Sequence, residues 1–275
     1  MNPVVNSSEN MILVVGATGG VGQLVVGKLL AKNLPVRIFT RNRDKVNQMF
    51  NHENHQVDIA IGDIRESDTI TSAMVNVTSI ICCTGTSAFP SDKWQFTTSP
   101  NFIDVALSIF NRDILEGKAK NSPMKVDSEG VKRLVSLAPK NLHRFVLVSS
   151  CGILRKNEFP FKILNLFGVL DAKKQGEDFL INSGIPYTII RPARLIDGPY
   201  TSSDLNTLLQ ATTNGKLNVV LGTGDQISGE SSRIDVAAAC VESLFYETTV
   251  NKVFEIVNQG ERTNTIDWER LFSQL

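Results

Sequence analysis

The stretch VVGATGGVG at 14–22 places Gly16, Gly19 and Gly22 three residues apart, directly after the apolar run MILVVG at 11–16. Glycine at such positions permits a tight turn. It also lets the backbone N–H groups of a following helix approach a pyrophosphate, and lets that helix pack closely on the strand. Strand, glycine turn and helix in that order are the context a dinucleotide site requires, with Thr18, Gly20 and Val21 completing the turn. Beyond the second apolar strand, where an NAD site offers an acidic side chain to the ribose 2′-hydroxyl, this chain has Thr40-Arg41-Asn42-Arg43. Guanidinium groups form charge-assisted, often bidentate bonds to a 2′-phosphate that a carboxylate would repel. NADP(H) is therefore the expected cofactor, read by Arg41 and Arg43. The plainer alternative is that both arginines only solvate a helix start.

Other reactive residue types carry less. His52 and His55, at i and i+3, read as polar-loop residues, His143 reads as a surface residue before a strand, and no metal site is expected. Cys151 follows Ser149-Ser150 and reads either as a buried, inert thiol or as a redox-sensitive one. Phe159, Phe161, Leu164, Leu166 and Phe167 around Pro160 can complete the core or line a pocket for a flat apolar ligand.

The elements that must position these residues alternate between the two periods. Strands are expected at 11–16, 36–40, 57–63, 79–85, 144–150 and 187–192, with helices at 20–33, 42–50, 66–75, 126–137 and 169–182. This is the pattern of β-α units closing a parallel sheet, which binds ligands at the carboxyl ends of its strands. Residues 86–122 mix Pro, Ser, Thr and aromatic residues without a sustained period, as long functional connections do. From about 193 the pattern predicts a helix near 203–214, short strands around 218–229, a helix at 234–246, a strand at 253–258 and a last helix from about 265. The fold class expected is α/β, a doubly wound parallel sheet. Residues 1–10 are expected to form a flexible leader, 11–275 one domain, and 193–275 most of a small substrate-side lobe on the same sheet.

Lys+Arg and Asp+Glu number 28 each. A chain with no net charge lacks the long-range field used in phosphate-backbone binding, so nucleic acid is not an expected partner. The hydrophobic share of 42% suits an ordinary globular core. Glycines at 16, 19, 20 and 22 interrupt the uncharged stretch 11–27, which disfavours a signal peptide or a spanning helix there. The four cysteines match neither a zinc pattern nor a secreted disulfide framework, which favours a reducing compartment. The expected location is the cytoplasm.

The glycine pattern, GDIR at 62–65, VDSEGVKRLV at 126–135, FVLVSS at 145–150, KKQGEDFLINSGIPYTIIRPARLIDGP at 173–199 and SRIDVAAAC at 232–240 together resemble the atypical short-chain dehydrogenase/reductases. The likeness is to the NAD(P)-binding group of cyanobacteria and chloroplasts that includes NmrA-like and Tic62-like proteins, and it extends from about residue 11 to 260. The resemblance implies the Rossmann fold and allows a place in the plastid stroma. It implies that Asp63 and Ile64 flank the adenine and that Cys83, Thr84 and Gly85 pass along the cofactor ribose. It further implies that Ser149 and Ser150 lie beside the nicotinamide, that Lys173 bonds the nicotinamide ribose, and that the turn Arg191-Pro192-Ala193-Arg194 approaches the carboxamide.

The chain departs from the wider superfamily at one position. Active members use a Tyr-x-x-x-Lys pair in which lysine lowers the phenol pKa for proton exchange. With Lys173 as the lysine, the tyrosine position is Val169; with Lys174 it is Leu170. Of the three tyrosines, Tyr187 reads as a core-strand residue, Tyr246 as a helix end, and Tyr200 as facing the substrate cleft at most. Two functions remain. One is an NADPH-dependent reductase of a conjugated, mostly apolar acceptor such as a quinone, flavin or tetrapyrrole, with Ser150 as polar orienting group, Lys173 positioning cofactor and Arg194 or Tyr200 touching substrate. The other is a non-catalytic NADP(H)-responsive protein that presents a surface to a protein partner, with Phe89, Trp94 and Phe96 exposed for it. The reductase is the preferred reading.

Overall fold

Eight strands form the central sheet in the order β3-β2-β1-β4-β5-β6-β10-β8, where β1 is Met11–Val15, β2 Val36–Thr40, β3 Val57–Ile61, β4 Val77–Cys82, β5 Arg144–Val148, β6 Tyr187–Pro192, β8 Leu217–Gly222 and β10 Lys252–Glu261. This is a computed structural model, and it describes residues 11–50, 57–90, 94–109, 111–196 and 217–275. The expected leader 1–10, His52, His55, Tyr200 and the expected helix near 203–214 lie outside the described residues. All neighbouring pairs are parallel except β10 with β8, which closes the edge antiparallel. β7 (Arg194–Ile196) and β9 (Glu230–Ser232) form a separate parallel pair.

The strands are nearly continuous apolar runs because both faces of the sheet are covered. Alternate residues feed two cores. Ile12, Val14, Val146 and Val148 point to one, with Leu24, Val25 and Leu29 of α1 (Gly22–Ala31) and Val236, Ala237 and Cys240 of α9 (Arg233–Glu242). Leu13, Val15, Phe145 and Leu147 point to the other, with Ile70 of α3 (Ser67–Ala73), Val131 and Leu134 of α6 (Glu129–Ser136) and Leu180 of α8 (Val169–Ile181). The winding reverses between β1 and β4, and the crevice at such a reversal is where open α/β sheets hold ligands.

Two differences from the sequence pattern have local causes. Residues 86–122, read as irregular, contain α4 (Phe102–Ser108) and α5 (Asp113–Lys118) after the short α2 (Arg43–Met49) and α3 of the first half. Each is under two turns, too short for a helical period to register. The sequence did carry a start signal: Asn101 accepts from Asp104 N at 2.8 Å while the Asp104 carboxylate accepts from Asn101 N at 2.9 Å, a capping box. Trp94, Leu115, Ala119 and Phe167 bury this segment on the loop before α8, with α7 (Phe161–Leu164) beside it. The helix expected from 126 is preceded by a π turn at Met124–Ser128, where α6 proper begins at Glu129.

Close packing of α1 on the turn that leads into it depends on Gly22, where a Cβ would stand 2.1 Å from the Gly16 carbonyl oxygen. Gly22→Ala is expected to lose about 1–3 kcal/mol in urea unfolding, the usual cost of overpacking against an unyielding wall. Gly117→Ala in α5, where a Cβ meets nothing within 4 Å, is expected to gain up to about 1 kcal/mol. Equal effects of the two substitutions would contradict this packing.

Candidate functional site

The glycine turn is built against the end of β4. Gly16 has φ +79°, and a Cβ there would come within 2.8 Å of Thr84 N and 2.9 Å of the Cys83 carbonyl carbon. Cys83 N donates to Val15 O at 2.8 Å, and Gly19 N donates to Gly16 O at 3.0 Å. Helix α1 starts with Val21 as N-cap, which gives no side-chain cap, and its first turn has no acidic residue. Its unsatisfied amides and the positive end of its dipole are therefore directed at the crevice between β1 and β4. Thr18 is half-buried and Val21 buried beside them.

At the end of β2, Thr40 Oγ1 accepts from Asn42 N at 3.1 Å, and Asn42 caps α2 by accepting from Lys45 N at 3.0 Å. This tight corner leaves Arg41 and Arg43 exposed. Arg41 reaches toward Asp63 at the end of β3, with 3.9 Å between Nη1 and Oδ2. Asp63 is clasped by Arg65, whose Nε donates to Oδ1 at 2.8 Å. Burial works to raise the Asp63 carboxyl, but the hydrogen bonds and charge of Arg65, with Arg41 adding to them, hold it below the ordinary carboxylate range. Ile64 is buried against α6, where a Cβ on Gly130 would be 3.0 Å from its Cγ1.

Beyond the turn, Thr84, Asp127, Ser149 and Lys173 line one small cavity floored by Val131, Leu147 and Val148. Lys173 Nζ donates to Asp127 Oδ1 at 2.7 Å, and Asp127 Oδ2 accepts from Thr86 N at 3.0 Å and Thr86 Oγ1 at 2.7 Å. Gly85 lies against the pair, a Cβ there being 3.2 Å from Lys173 Nζ. The pair forms because the π turn carrying Asp127 nests on α8 at Gly176, where a Cβ would be 2.5 Å from the Asp127 carbonyl oxygen. Ser149 Oγ is buried and has no hydrogen-bond partner among the described residues. A buried hydroxyl without a partner is costly, and a polar atom entering the cavity would relieve that cost.

Several predicted residues stand differently. Ser150, expected as the polar orienting group, donates its hydroxyl to the Cys151 carbonyl at 2.9 Å and is not among the cavity's lining residues. Ser149 lines the cavity beside Lys173. Arg191 does not project toward a ligand: its Nε and Nη2 donate to Glu177 at 3.0 and 2.6 Å, both groups being buried, which ties β6 to α8. Pro192 is buried and its carbonyl accepts from Cys151 N at 2.9 Å. Arg194 is exposed and paired with Glu230 of β9. Val169 packs with Ile153 and Leu170 in an apolar cluster that offers no proton. Cys151 is buried, and burial, with Asp225 and Glu255 nearby, pushes its thiol up to about 12, away from the thiolate form that a redox-sensitive role needs. Cys83 is half-buried, and its hydrogen bond with Cys240, together with burial, raises it well above the ordinary thiol value. His143 is exposed, as expected. Asp127 and Thr86 were given no role from the sequence. Asp127 lies inside VDSEGVKRLV, but only the π turn brings it to Lys173.

Glycine turn, cavity and switch point together define a dinucleotide-binding protein of the doubly wound α/β class. The chain belongs to the NAD(P)H-binding family, whose match covers residues 16–247. It is 30% identical to sanguinarine reductase of Eschscholzia californica over 98% of this chain and 97% of that protein. It is also 30% identical to the chloroplastic protein TIC 62 of Pisum sativum over 68% of this chain, which spans 33% of that longer protein. Among solved structures, the oxidoreductase ylbE of Lactococcus lactis has the same fold with a TM-score of 0.66 at 18% identity, covering 96% of both chains. No helix among the described residues is long and apolar enough to cross a membrane.

Behind the site, Glu255 of β10 pairs in register with Arg191 and is fully buried, with Oε1 lacking a partner among the described residues. Burial raises its pKa, against the hydrogen bonds from the Asp225 and Gln226 backbone that work to lower it. A carboxyl whose folded pKa is raised binds its proton in the native state where the unfolded chain has released it, so stability falls as pH rises from the ordinary glutamate range through the folded value. Glu255→Gln is therefore expected to raise Tm relative to wild type, with a difference that is small near about pH 4 and grows toward about pH 8. A difference independent of pH would contradict this.

Proposed function

We propose that the protein is an NADPH-dependent reductase of a conjugated, mostly apolar acceptor of the quinone, flavin or tetrapyrrole kind. The observation that carries the reading is the unpartnered, buried Ser149 hydroxyl in the same cavity as a lysine fixed by Asp127. The residues present fit a nicotinamide dinucleotide: a glycine cradle that any Cβ at Gly16 or Gly22 would fill, a helix N-terminus, and a polar cavity at the next strand ends. The dinucleotide, when bound, supplies the hydride.

The chain's own residues then do the following. The amides of the 16–22 turn bind the diphosphate, and Arg41 and Arg43 bind the 2′-phosphate, their guanidinium forks suiting it better than a ribose hydroxyl. Thr84 and Gly85 border the ribose. Lys173 has three N–H donors, of which Asp127 takes one. The others serve the sugar hydroxyls, and Asp127 fixes their direction. Ser149 donates to the oxygen or nitrogen that enters beside it. Val169 leaves no phenol to hold or deliver a proton. An acceptor whose reduced form delocalises its charge suits such a site, since it can take the proton from solvent or from Ser149. The sanguinarine reductase likeness along the full chain supports reduction of a small molecule. Relatives named as chloroplastic support a plastid stroma location over the cytoplasm. Residues 11–275 are read as one domain, with the part from 193 contributing the substrate side.

A second reading, an NADP(H)-responsive protein that a partner recognises, is favoured by Val169 and by exposed apolar side chains on α4, where Phe102 is 87% and Ile103 64% exposed. The likeness to TIC 62 is compatible with it.

The test is oxidation of NADPH and NADH by the purified protein with a panel of quinones, flavins and linear tetrapyrroles. NADPH is expected to be the preferred donor with at least one acceptor. Arg41→Ala is expected to raise KM for NADPH about 10–100-fold, the worth of one or two charge-assisted hydrogen bonds, and to leave NADH unchanged. Lys173→Met is expected to lower kcat/KM for both donors. NADPH binding without turnover on any acceptor would favour the second reading, and a preference for NADH that Arg41→Ala leaves intact would overturn the 2′-phosphate assignment.

A further inference from the structure

Asp171, in the first turn of α8, collects donors from three stretches of chain. Its Oδ2 accepts from Arg112 Nη1 at 2.6 Å and from Asn165 Nδ2 at 2.9 Å, and its Oδ1 accepts from Lys156 Nζ at 2.5 Å. Arg112 stands just before α5, Lys156 in the loop after β5, and Asn165 between α7 and α8. Burial works to raise the Asp171 carboxyl, but the hydrogen bonds of Lys156, Arg112 and Asn165 hold it below the ordinary carboxylate range, so it stays ionised at neutral pH.

The partners are themselves tied to this junction. Arg112 also donates from Nε to the Leu166 carbonyl at 3.0 Å and from Nη2 to the Asn165 carbonyl at 2.7 Å. Asn165 Oδ1 accepts from Leu170 N at 3.0 Å and Asp171 N at 3.2 Å, which supplies the cap that Gly168, as N-cap residue, cannot. Gly168 leaves room for the guanidinium, a Cβ there being 3.2 Å from Arg112 Nη1.

What the junction holds is a wall along the start of α8. From Thr86, which bonds Asp127 beside Lys173, the chain continues to Ala88, packed with Ile153, Val169 and Phe161, and to Phe89, whose ring meets that of Phe167 edge-on with centroids 6.0 Å apart. Trp94 meets the same Phe167 ring at 6.3 Å. Apolar contact of this kind is not directional, so it holds the wall to the helix without fixing where along the helix it sits. The ion pairs supply the direction. With Arg112 42% and Lys156 40% exposed they add little stability, and their convergence on one carboxylate acts on position.

We propose that Asp171 is a positioning residue for the acceptor: with Arg112 and Lys156 it holds the wall of residues 86–89 and 153–167 in fixed register on Val169 and Lys173, and so sets the slot in which a flat acceptor meets the coenzyme. This deepens the reductase reading and rests on it. A site with valine in place of a phenol has to gain its rate from orientation, and orientation is lost when a wall of the slot slides.

The test joins two readouts on the full chain. Reduction of menadione, FMN and biliverdin by saturating NADPH is measured for wild type, Asp171→Asn, Arg112→Met and the double variant, and acrylamide quenching of Trp94 is followed with Trp268→Phe as background. Each single variant is expected to lower kcat/KM for the acceptor about 10–100-fold, to leave the Kd for NADPH unchanged, and to make Trp94 easier to quench. The double variant is expected to be no worse than the poorer single one, because both remove the same tie. Arg112→Lys reaches the carboxylate but not both carbonyls, and is expected to fall between wild type and Arg112→Met. The Arg112 variants carry the test if Asp171→Asn does not fold. Easier quenching with wild-type acceptor kinetics marks a structural tie only and overturns the proposal. So does a loss of NADPH affinity that matches the loss of kcat/KM, which places the effect on α8 and not on the wall, and so do additive losses in the double variant. Wild-type protein that binds NADPH and reduces none of the three acceptors overturns the reductase reading, and this inference with it.

Discussion

Backbone packs directly on backbone where the turn at 16–22 meets the end of β4, and the site follows from that approach. Any side chain at Gly16 would enter the peptide between Cys83 and Thr84, and any at Gly22 would enter the Gly16 carbonyl. With both absent, α1 can start against the sheet and aim its first amides into the crevice at the reversal of strand order. The same approach sets the distance from the glycine turn to the segment 83–86, which borders Lys173 through Gly85 and holds Asp127 through Thr86. In the proposed reading a dinucleotide spans from the first of these features to the second, so one packing constraint would place both of its ends.

Three ion pairs around the site each join two separate elements. Lys173–Asp127 joins α8 to the π turn, Arg191–Glu177 joins β6 to α8, and Arg262–Asp235 joins the chain after β10 to α9. Ion pairs of this kind contribute little net stability because desolvation offsets the attraction, but removing one partner leaves a costly charge behind. Their effect here is positional. They fix the rotation of α8 that presents Lys173 to the cavity and the start of α9 beside α1. Asp225 works similarly through backbone, accepting from Gly152 N and Leu154 N at 2.7 Å each and so fixing the loop that follows Ser149-Ser150.

The doubly wound sheet was legible because its strands are short apolar runs and its glycine turn sits between a strand and a helix. Strand β2 was expected at 36–40 and forms at Val36–Thr40. The edge of the site was less legible. Two adjacent serines end β5, and nothing in their spacing tells which hydroxyl faces the cavity; the alternation of the strand gives that place to Ser149, while Ser150 turns to the Cys151 carbonyl. An arginine next to proline at the end of β6 looks ligand-facing, yet Arg191 points to Glu177, a partner 14 residues earlier whose burial no local pattern announces. Asp127 was invisible as a neighbour of Lys173 because it reaches the cavity only through tertiary packing at Gly176, and the fit between distant backbones leaves no periodic signature.

The central claim is that a nicotinamide dinucleotide spans from the glycine turn to the cavity of Ser149, Asp127 and Lys173. The most direct measurement is a crystal structure of the protein with NADPH. The account predicts the diphosphate on the turn at 16–22, the 2′-phosphate against Arg41, and the nicotinamide half within hydrogen-bond reach of Ser149 Oγ and Lys173 Nζ. Coenzyme density that leaves Ser149 and Lys173 without contact, or that lies across a different edge of the sheet, would contradict it.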